Sequence, residues 1–249
     1  MENAVRVTLV GAAGRLGEAI VRTCETQEGM TIARRCGRGD RVADSVAKGN
    51  VVIDVSSADA VEEICDACVE HRRPLIIGTT GHSDEQMRVI EAASAKIPIV
   101  VAPNFSVGVN ALFWLARKAA ELLGDDFDIE VIEAHHRLKK DAPSGTAKRL
   151  AELLRAARSF SEGAIVHGSE GITGERPAQQ IGMHAIRAGD IVGEHTVMFA
   201  GSGERLELTH RASSRDTFAV GALRAARWVA TQKSGLYSME HVLGLDRAG

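Results

Sequence analysis

Short apolar runs alternate with longer, helically spaced segments through the first hundred residues. The short runs are rich in β-branched residues and predict strands at Val5–Val10, 30–35, 51–55, Leu75–Ile77 and 97–102. Apolar residues recur every three or four positions between these runs, which predicts helices that end near Gly29 or span about 59–70 and 84–95. Strands that alternate with helices favour a mostly parallel sheet covered by helices.

The pattern changes near Ser106. A helix is predicted from Ser106 to Leu123, followed by a strand over 127–135 and a helix from Ser144. Three alternating segments broken by glycines then predict an antiparallel meander over 181–187, 191–199 and 204–211, before a last helix that Asp216 caps. We therefore expect an α/β protein with a doubly wound, Rossmann-like nucleotide domain and a second α+β domain whose sheet is mostly antiparallel.

The largest group of candidate catalytic and anion-binding residues lies between the strand over 127–135 and the helix that follows it. Successive strand side chains point to opposite faces, so His135 shares a face with Glu133 and His136 points the other way. Ser144 or Thr146 is placed to cap the following helix, whose free N–H groups form a site for a carboxylate- or phosphate-sized anion.

Lys139 and Lys140 add positive charge to the same loop. Taken singly, a histidine at a strand end is more often a satisfied structural residue, and a lysine in a loop is usually solvated. Their occurrence together on one strand, loop and helix favours an active site, because loops on a rigid scaffold commonly carry function.

Composition narrows the possible classes of protein. The chain has 249 residues with 45% hydrophobic content, which is enough for one large domain or two modest ones. Thirty basic against 33 acidic residues leave a net charge of -3, so we expect no nucleic-acid or membrane-surface partner. The first residues lack the pattern of a secretory leader and no apolar run reaches membrane-spanning length, so we expect a cytoplasmic protein.

Four cysteines are too few for a disulfide scaffold. Cys65 and Cys68 form a C-x-x-C pair, but in the middle of a predicted helix and with no second cysteine or histidine pair near them. We therefore expect buried, inert thiols and no metal site.

Gly11, Gly14 and Gly17 follow the first strand in the spacing G-x-x-G-x-x-G, a variant of the dinucleotide-binding turn. Alone this spacing is also compatible with a plain tight turn, but the alternating elements around it favour nucleotide binding. Ligands gather at the C-terminal ends of parallel strands. The predicted cofactor-binding residues there are Gly11, Ala12, Ala13, Gly14, Arg15, Leu16, Gly78, Thr79, Thr80, Ala102, Pro103, Asn104 and Phe105.

The end of the second predicted strand bears on the choice of cofactor. The acid that would bind the adenosine ribose of NADH is missing at Cys36 and Gly37, and Arg35 and Arg38 are close by. A guanidinium pairs well with a 2′-phosphate, so the sequence favours NADPH over NADH, with Arg35 and Arg38 added to the cofactor-binding set. A solvated basic loop is the alternative.

The string Glu-Ala-His-His-Arg-x-Lys-x-Asp-Ala-Pro-Ser-Gly-Thr-Ala at 133–147 resembles the signature of the 4-hydroxy-tetrahydrodipicolinate reductase (dihydrodipicolinate reductase) family. The resemblance extends over the chain and includes Gly78-Thr-Thr-Gly, Asn104-Phe-Ser-Val-Gly-Val-Asn110, Arg187-Ala-Gly-Asp-Ile-Val-Gly-Glu-His195 and His210-Arg-Ala-Ser-Ser-Arg215. It implies NAD(P)H-dependent reduction of a cyclic dicarboxylate imine in the diaminopimelate route to lysine.

The resemblance also implies an assembly and a domain plan. It implies a homotetramer built through the second sheet, a nucleotide domain at 1–106, a substrate and oligomerisation domain at 107–215, and a segment at 216–249 that returns to the nucleotide domain. Arg215 matches an arginine near the family's substrate region, whereas His184, His195 and His210 are expected to be packing or interface histidines.

The reaction gives the residues of the central segment distinct roles. Histidine titrates near neutrality, so His135 is the expected proton donor, with Lys139 sharing that role or stabilising charge on the substrate. The expected substrate-binding residues are His136, Lys139, Ser144, Gly145 and Thr146. Glu133 either orients His135 or forms a structural salt bridge.

Two other functions stay open from the residues alone. One is a semialdehyde dehydrogenase on the same nucleotide fold, which needs an activated cysteine near the central segment. The other is a non-catalytic module that binds NAD(P)H, which needs no convergent acid and anion site.

Overall fold

The computed structural model describes residues 4–247, and the chain divides into two compact units. The first unit contains the residues up to Val107 and those from Arg215 onward, and the second contains Gly108–Ser214. Residues 1–3 and 248–249, which the predicted domain ranges include, lie outside the described residues. No helix within 4–247 is long and apolar enough to cross a membrane.

The strands assigned within the described residues are β1 (Val5–Val10), β2 (Met30–Cys36), β3 (Val51–Asp54), β4 (Leu75–Ile77), β5 (Pro98–Val101), β6 (Asp128–His135), β7 (Ile165–His167), β8 (Ile181–Arg187), β9 (Gly193–Ala200), β10 (Arg205–Ala212) and β11 (Gly235–Tyr237). The α-helices are α1 (Arg15–Cys24), α2 (Val42–Val46), α3 (Val61–Glu70), α4 (Asp84–Ser94), α5 (Val107–Leu123), α6 (Gly145–Ala157), α7 (Asp216–Val229) and α8 (Met239–Leu243).

The first unit is a six-stranded parallel sheet in the order β11-β5-β4-β3-β1-β2. Both faces are covered, because residues along each strand alternate between two apolar clusters. In β3, Val51 and Ile53 pack with α1, α7 and α8, whereas Val52 packs with α2, α3 and α4. The next two strands, β2 and β3, lie on opposite sides of β1, and this reversal of strand order places a crevice for ligands at the C-terminal ends of β1 and β3.

The glycine turn after β1 depends on the absence of side chains. Gly11 has φ +83°, and a Cβ atom there would lie 2.6 Å from the carbonyl oxygen of Val55. A Cβ atom on Gly17 would lie 2.3 Å from the carbonyl oxygen of Gly11, so only glycine lets α1 begin this close to the turn. The N-terminus of α1 therefore lies directly beside the crevice.

The second unit is a five-stranded sheet in the order β10-β9-β6-β8-β7, with α5 and α6 packed on one face. The predicted α/β class with a Rossmann-like sheet and a second sheet is confirmed. Of the predicted meander, the antiparallel pairing of β9 with β10 is confirmed, but β8 does not pair with β9. The strand β6 lies between them, and the sheet is mixed rather than mostly antiparallel, because β6 pairs in parallel with β8 and antiparallel with β9. Alternation identifies a strand and its buried face but says nothing about its neighbour.

Short elements account for the other differences. The helices α2 and α8 and the strands β7 and β11 have three to five residues, too few for a periodic pattern. The strand β11 joins the first sheet beside β5, so the end of the chain completes the first unit. Asp216 is the first residue of α7 and Arg215 holds the N-cap position, which corrects the predicted cap.

Candidate active site

In the second unit, the inward-facing side chains of β6, β8 and β9 change from apolar to polar at the same end of the sheet. The row of β6 that joins the core under α5 and α6 continues from Val131 to Glu133 and His135. His195 on β9 lies opposite Glu133, and Arg187 on β8 lies beside His135. The apolar core of this unit is therefore continuous with a cluster of ionisable side chains.

Glu133 is the centre of that cluster. Its side chain is fully buried, and the Arg187 guanidinium donates to both carboxylate oxygens at 2.8 Å. The backbone N–H of Ser144 donates to Oε1 at 3.0 Å, and His135 Nδ1 lies 2.6 Å from Oε2. Although burial raises the pKa of Glu133, hydrogen bonds from Arg187, His135 and Ser144 outweigh it and lower the pKa below its usual value.

The ionised carboxylate fixes the tautomer of His135. A carboxylate only accepts hydrogen bonds, so His135 Nδ1 carries a proton and Nε2 is the nitrogen that gains or loses one. On the Nε2 side the neighbouring residue is Gly193, where a Cβ atom would lie 3.1 Å from Nε2. The missing side chain at Gly193 leaves room beside the reactive nitrogen.

His195 is a buried, uncharged side chain that lines the site. It is 4% exposed, its Nε2 lies 3.1 Å from the Ser144 hydroxyl, and its ring meets that of His135 edge-on with centroids 5.2 Å apart. Burial and the charge of His135 lower the pKa of His195 to about 4. Sequence reasoning assigned His195 to packing; the structure places it against the expected proton donor.

The Ser144 hydroxyl caps α6. Its hydroxyl accepts from the N–H of Ala147, its backbone N–H serves Glu133, and the residue is 2% exposed. The predicted cap is confirmed, but both polar groups of Ser144 are used within the protein. Gly145 is exposed and Thr146 half-buried in the first turn of α6.

Lys139 lies on the loop between β6 and α6 with 22% of its side chain exposed, and pairs with Asp141 at 2.8 Å. Its charge contributes to lowering the pKa of His135. The same loop is tied to β8, because Arg187 donates to the backbone carbonyl of Asp141. His136, half-buried, is the first residue after β6, and Lys140 is exposed.

The pKa of His135 is lowered, chiefly by burial. The hydrogen bond to Glu133 opposes this shift, and the charges of Lys139 and Arg187 add to it. His135 is therefore mostly neutral at neutral pH until an anion binds beside it.

The crevice of the first unit suits a dinucleotide. Gly14 and Arg15 are exposed at the start of α1, where the N–H groups and the helix dipole favour a phosphate. The N–H of Gly11 is satisfied by the carbonyl oxygen of Cys36, which anchors the turn to β2. Ala13 is also exposed, whereas Ala12 is buried and Leu16 packs against the core, so these last two shape the turn from beneath.

A buried carboxylate supports the neighbouring turns of this crevice. Asp54 at the end of β3 accepts from the Ser56 N–H and from the Thr79 hydroxyl, both at 2.9 Å, and burial raises its pKa. A Cβ atom on Gly78 would lie 2.3 Å from the Phe105 ring, so Phe105 packs underneath the turn that carries Thr79. Thr80 and Pro103 are exposed, Asn104 is half-buried and Ala102 is buried.

The loop after β2 holds one carboxylate that is already neutralised. Asp40 accepts from Arg34 at 2.9 Å and from the Gly37 N–H at 2.8 Å. Arg35 and Arg38 are exposed and form no ion pair within the described part of the chain. Arg35 and Arg38, which the sequence assigns to the cofactor, are therefore available to bind an anion.

Sequence reasoning gave no role to three side chains that lie in the candidate site or the nucleotide crevice: Arg187, His195 and Asp54. Arg187 and His195 are more than fifty residues from Glu133 along the chain and reach it only through the pairing of β8 and β9 with β6. The available signals were Arg187 at the end of its strand pattern and His195 within the next strand pattern. Asp54 ends an otherwise apolar strand, and a buried carboxylate in that position is itself a sign of function.

Comparison with known proteins covers both units. The family models described as "Dihydrodipicolinate reductase, N-terminus" and "Dihydrodipicolinate reductase, C-terminus" match residues 5–105 and 108–243. The protein named 4-hydroxy-tetrahydrodipicolinate reductase in Akkermansia muciniphila is 50% identical over 245 residues, 98% of this chain and 99% of that one. Its namesake in Anaeromyxobacter sp. is 45% identical over 98% of this chain and 99% of its own.

A solved structure agrees with these matches. Dipicolinate-bound dihydrodipicolinate reductase from Paenisporosarcina sp. TG-14 has 26% identity and a TM-score of 0.79, over 95% of this chain and 98% of that chain.

We predict that His195 makes the second unit less stable in acid. Its folded pKa of about 4 lies below the ordinary 6.5, so the unfolded chain binds more protons between these values. The free energy of unfolding should therefore fall as pH drops from 6.5 to 4, by about 3 kcal/mol from this residue. Urea unfolding at fixed protein concentration, read by Trp114 fluorescence in a Trp228→Phe background, measures this loss.

His195→Gln is the comparison that isolates the effect, because His135 and His210 also have lowered pKa values and remain in both proteins. The variant should lose less stability than the parent over this pH range. Parallel curves for the two proteins would contradict the prediction.

Proposed function

The chain belongs to the dihydrodipicolinate reductase family, and on that premise we propose how its residues carry out the reaction. It is an oxidoreductase that uses NAD(P)H to reduce the cyclic imine derived from 4-hydroxy-tetrahydrodipicolinate to tetrahydrodipicolinate, in the diaminopimelate route to lysine. We further propose which residues bind the substrate and catalyse the reaction, which cofactor is preferred, in which compartment the enzyme works and how its subunits assemble.

His135 is the proposed proton donor. The observation that carries this assignment is the 2.6 Å contact between His135 Nδ1 and a buried, ionised Glu133, which leaves Nε2 as the exchangeable position. The hydride adds to a ring carbon conjugated with C=N, and the electrons left on the ring take up a proton. Protonated His135 supplies it from Nε2, and Glu133 holds the ring in place and stabilises its charge.

Substrate binding itself favours the protonated form of this histidine. The substrate is a dianion, and a negative charge beside an imidazole raises its pKa. This opposes the lowering by burial, Lys139 and Arg187 in the free protein. Proton uptake by His135 is therefore coupled to arrival of the substrate.

The substrate carboxylates are assigned to Lys139, His136 and the first turn of α6. Gly145 and Thr146 offer backbone N–H groups there, and Lys139 offers an ammonium group that also stabilises negative charge in the reaction. Ser144, whose hydroxyl caps this turn, belongs to the proposed substrate-binding set.

The cofactor, when bound, supplies the hydride. The start of α1 at Gly14 would hold its pyrophosphate, and the turns at Gly78 and Asn104 would line the rest of its site. NADPH is the proposed preference, because Arg35 and Arg38 are available to a 2′-phosphate while Arg34 neutralises Asp40.

The open face of the second sheet is the proposed subunit interface. Its helices cover the other face, and Ile186 is 48% exposed among half-buried Ile132 and Met198. An extended, partly apolar sheet face suits contact with a second copy of the chain, and a homotetramer is the assembly proposed.

We place the enzyme in the cytoplasm. All four cysteines are free and buried, which suits a reducing compartment. The same burial argues against a semialdehyde dehydrogenase, because burial raises the pKa of Cys65 to about 12 and that of Cys68 well above its usual value.

We predict that His135→Gln lowers kcat by about 10²- to 10⁴-fold, the usual value of general acid catalysis. NADPH binding should stay close to that of the wild type, because the nucleotide crevice belongs to the other unit. The measurement is NADPH oxidation followed optically while substrate forms from pyruvate and aspartate semialdehyde. Oxidation at the wild-type rate would remove His135 from the mechanism, and a protein that binds NADPH without oxidising it would be only a binding module.

A steric variant tests the same nitrogen. Gly193→Ala places a methyl group against His135 Nε2 and should lower kcat by about tenfold or more, since small misplacements at a reacting group are costly. Gly163→Ala is the matched control, because nothing lies within 4 Å of a Cβ atom there. Equal kcat values for the two variants would argue against delivery of the proton from Nε2.

We predict a higher kcat/KM for NADPH than for NADH, and loss of that preference in Arg35→Gln and Arg38→Gln. Each lost charge-assisted bond should reduce the ratio by about tenfold or more. Arg41→Gln is the control, because this nearby arginine is 83% exposed on its side chain and lies 3.8 Å from Asp44. A wild type that favours NADH would overturn the proposed preference.

We predict that light scattering gives the mass of a tetramer for the wild type and a smaller mass for Ile186→Glu, because a carboxylate in the interface would be desolvated. Leu122→Glu is the control, since this 84% exposed leucine lies on α5, outside the sheet. A monomeric wild type, or equal masses for the two variants, would contradict this assembly.

A further inference from the structure

We propose that Arg187 is a positioning residue for the reaction: its guanidinium holds the Glu133 carboxylate in the orientation and charge state that align His135. The inference rests on the proposed role of His135 as proton donor. Arg187 itself touches neither the reacting imidazole nitrogen nor the loop lysine.

The geometry of the pair is the first argument. Two nitrogens of Arg187 donate to the two oxygens of Glu133, each at 2.8 Å. Such a fork fixes the plane of a carboxylate, which a single ammonium group does not do. The plane matters here because one oxygen must face His135 and the other the Ser144 N–H.

The backbone contacts of Arg187 are the second argument. One nitrogen also donates to the carbonyl oxygen of Asp141 at 2.6 Å and the other to that of Ile186 at 2.7 Å. The backbone N–H of Ala188 donates to the carbonyl oxygen of His135. Arg187 thus links the end of β8 to the strand that carries the acid and to the loop that carries Lys139.

Charge is the third argument. Titratable and charged groups face His135 from every neighbouring element. Glu133 is on its own strand, Arg187 on β8 and His195 on β9, with His210 on β10 beyond His195. The loop contributes Lys139 and Asp141. With Arg187 present, the buried carboxylate already has a cationic partner. Without it, protonated His135 becomes that partner, and the pKa of His135 rises.

A purely structural ion pair has a different consequence. Its loss lowers stability, and lowers activity to the same extent at every pH, without moving a titration. A positioning role moves the titration of His135 as well. The pH dependence of kcat therefore separates the two.

The central variant is Arg187→Met, which keeps the length of the side chain and removes its charge. We expect kcat to fall by about 10²-fold, with the KM for NADPH within about threefold of wild type. The high-pH limb of kcat, where His135 loses its proton, should move up by about one pH unit. A limb that coincides with that of the wild type would overturn the proposal.

Arg158→Met is the matched control. Arg158, like Arg187, is a partly buried arginine of the second unit that pairs with a carboxylate, Asp125, and donates to a backbone carbonyl, that of Phe127. Its loss should lower stability while leaving the high-pH limb in place. An equal shift of the limb in Arg158→Met would show that the shift is not specific to Arg187, and would overturn the proposal.

Two further measurements apply even if Arg187→Met does not fold. Arg187→Lys keeps the charge but not the fork, so its limb should stay near the wild-type position while kcat falls by about tenfold. Millimolar guanidinium should restore part of kcat to Arg187→Ala, whereas sodium chloride at equal ionic strength should not. Wild-type kcat in Arg187→Lys, or no restoration by guanidinium, would overturn the proposal.

The outcomes also separate this inference from the proposed function. If wild-type protein fails to oxidise NADPH with the cyclic imine, the proposed function fails before any variant is compared. If the wild type is active but the Arg187 variants lose stability without a shift of the high-pH limb of kcat, the proposed function stands and the positioning role of Arg187 does not.

Discussion

A charged carboxylate in the core of the second unit is the constraint from which its active site follows. Removing an ion from water costs several kcal/mol unless every lone pair is satisfied. Glu133 is satisfied by the fork of Arg187, the N–H of Ser144 and the ring of His135. Because these donors come from different segments, satisfying one charge fixes β8, the start of α6 and the imidazole relative to each other.

The same arrangement explains why the site is rigid without a separate scaffold. Val131 and Glu133 are neighbours in one row of β6, so the hydrophobic core ends where the polar cluster begins. On β9, Val197 and His195 show the same change. Packed side chains hold their rotamers, and a catalytic group next to them loses little entropy on reaching its working position.

The sequence predicted what depends on local patterns. Alternation along 127–135 was sufficient to put His135 and Glu133 on one face, and Ser144 was recognisable as a helix cap. It did not predict that Arg187 meets Glu133, because this contact requires β8 to be the parallel neighbour of β6, and strand order is decided by long-range packing. His195 was assigned to packing for the same reason, and β11 was too short to show a pattern.

Burial alone does not make a side chain functional. Cys68 and His195 are both almost completely buried, and in both burial disfavours the charged form. Cys68 is packed in an apolar cluster, and Cys65 and Asp54 raise its pKa further, so its thiol stays protonated and inert. Burial also lowers the pKa of His135, but there an ionised carboxylate raises the pKa while nearby cations lower it further. A group balanced in this way changes protonation when one more charge arrives, and the arrival of a dianionic substrate is such a change.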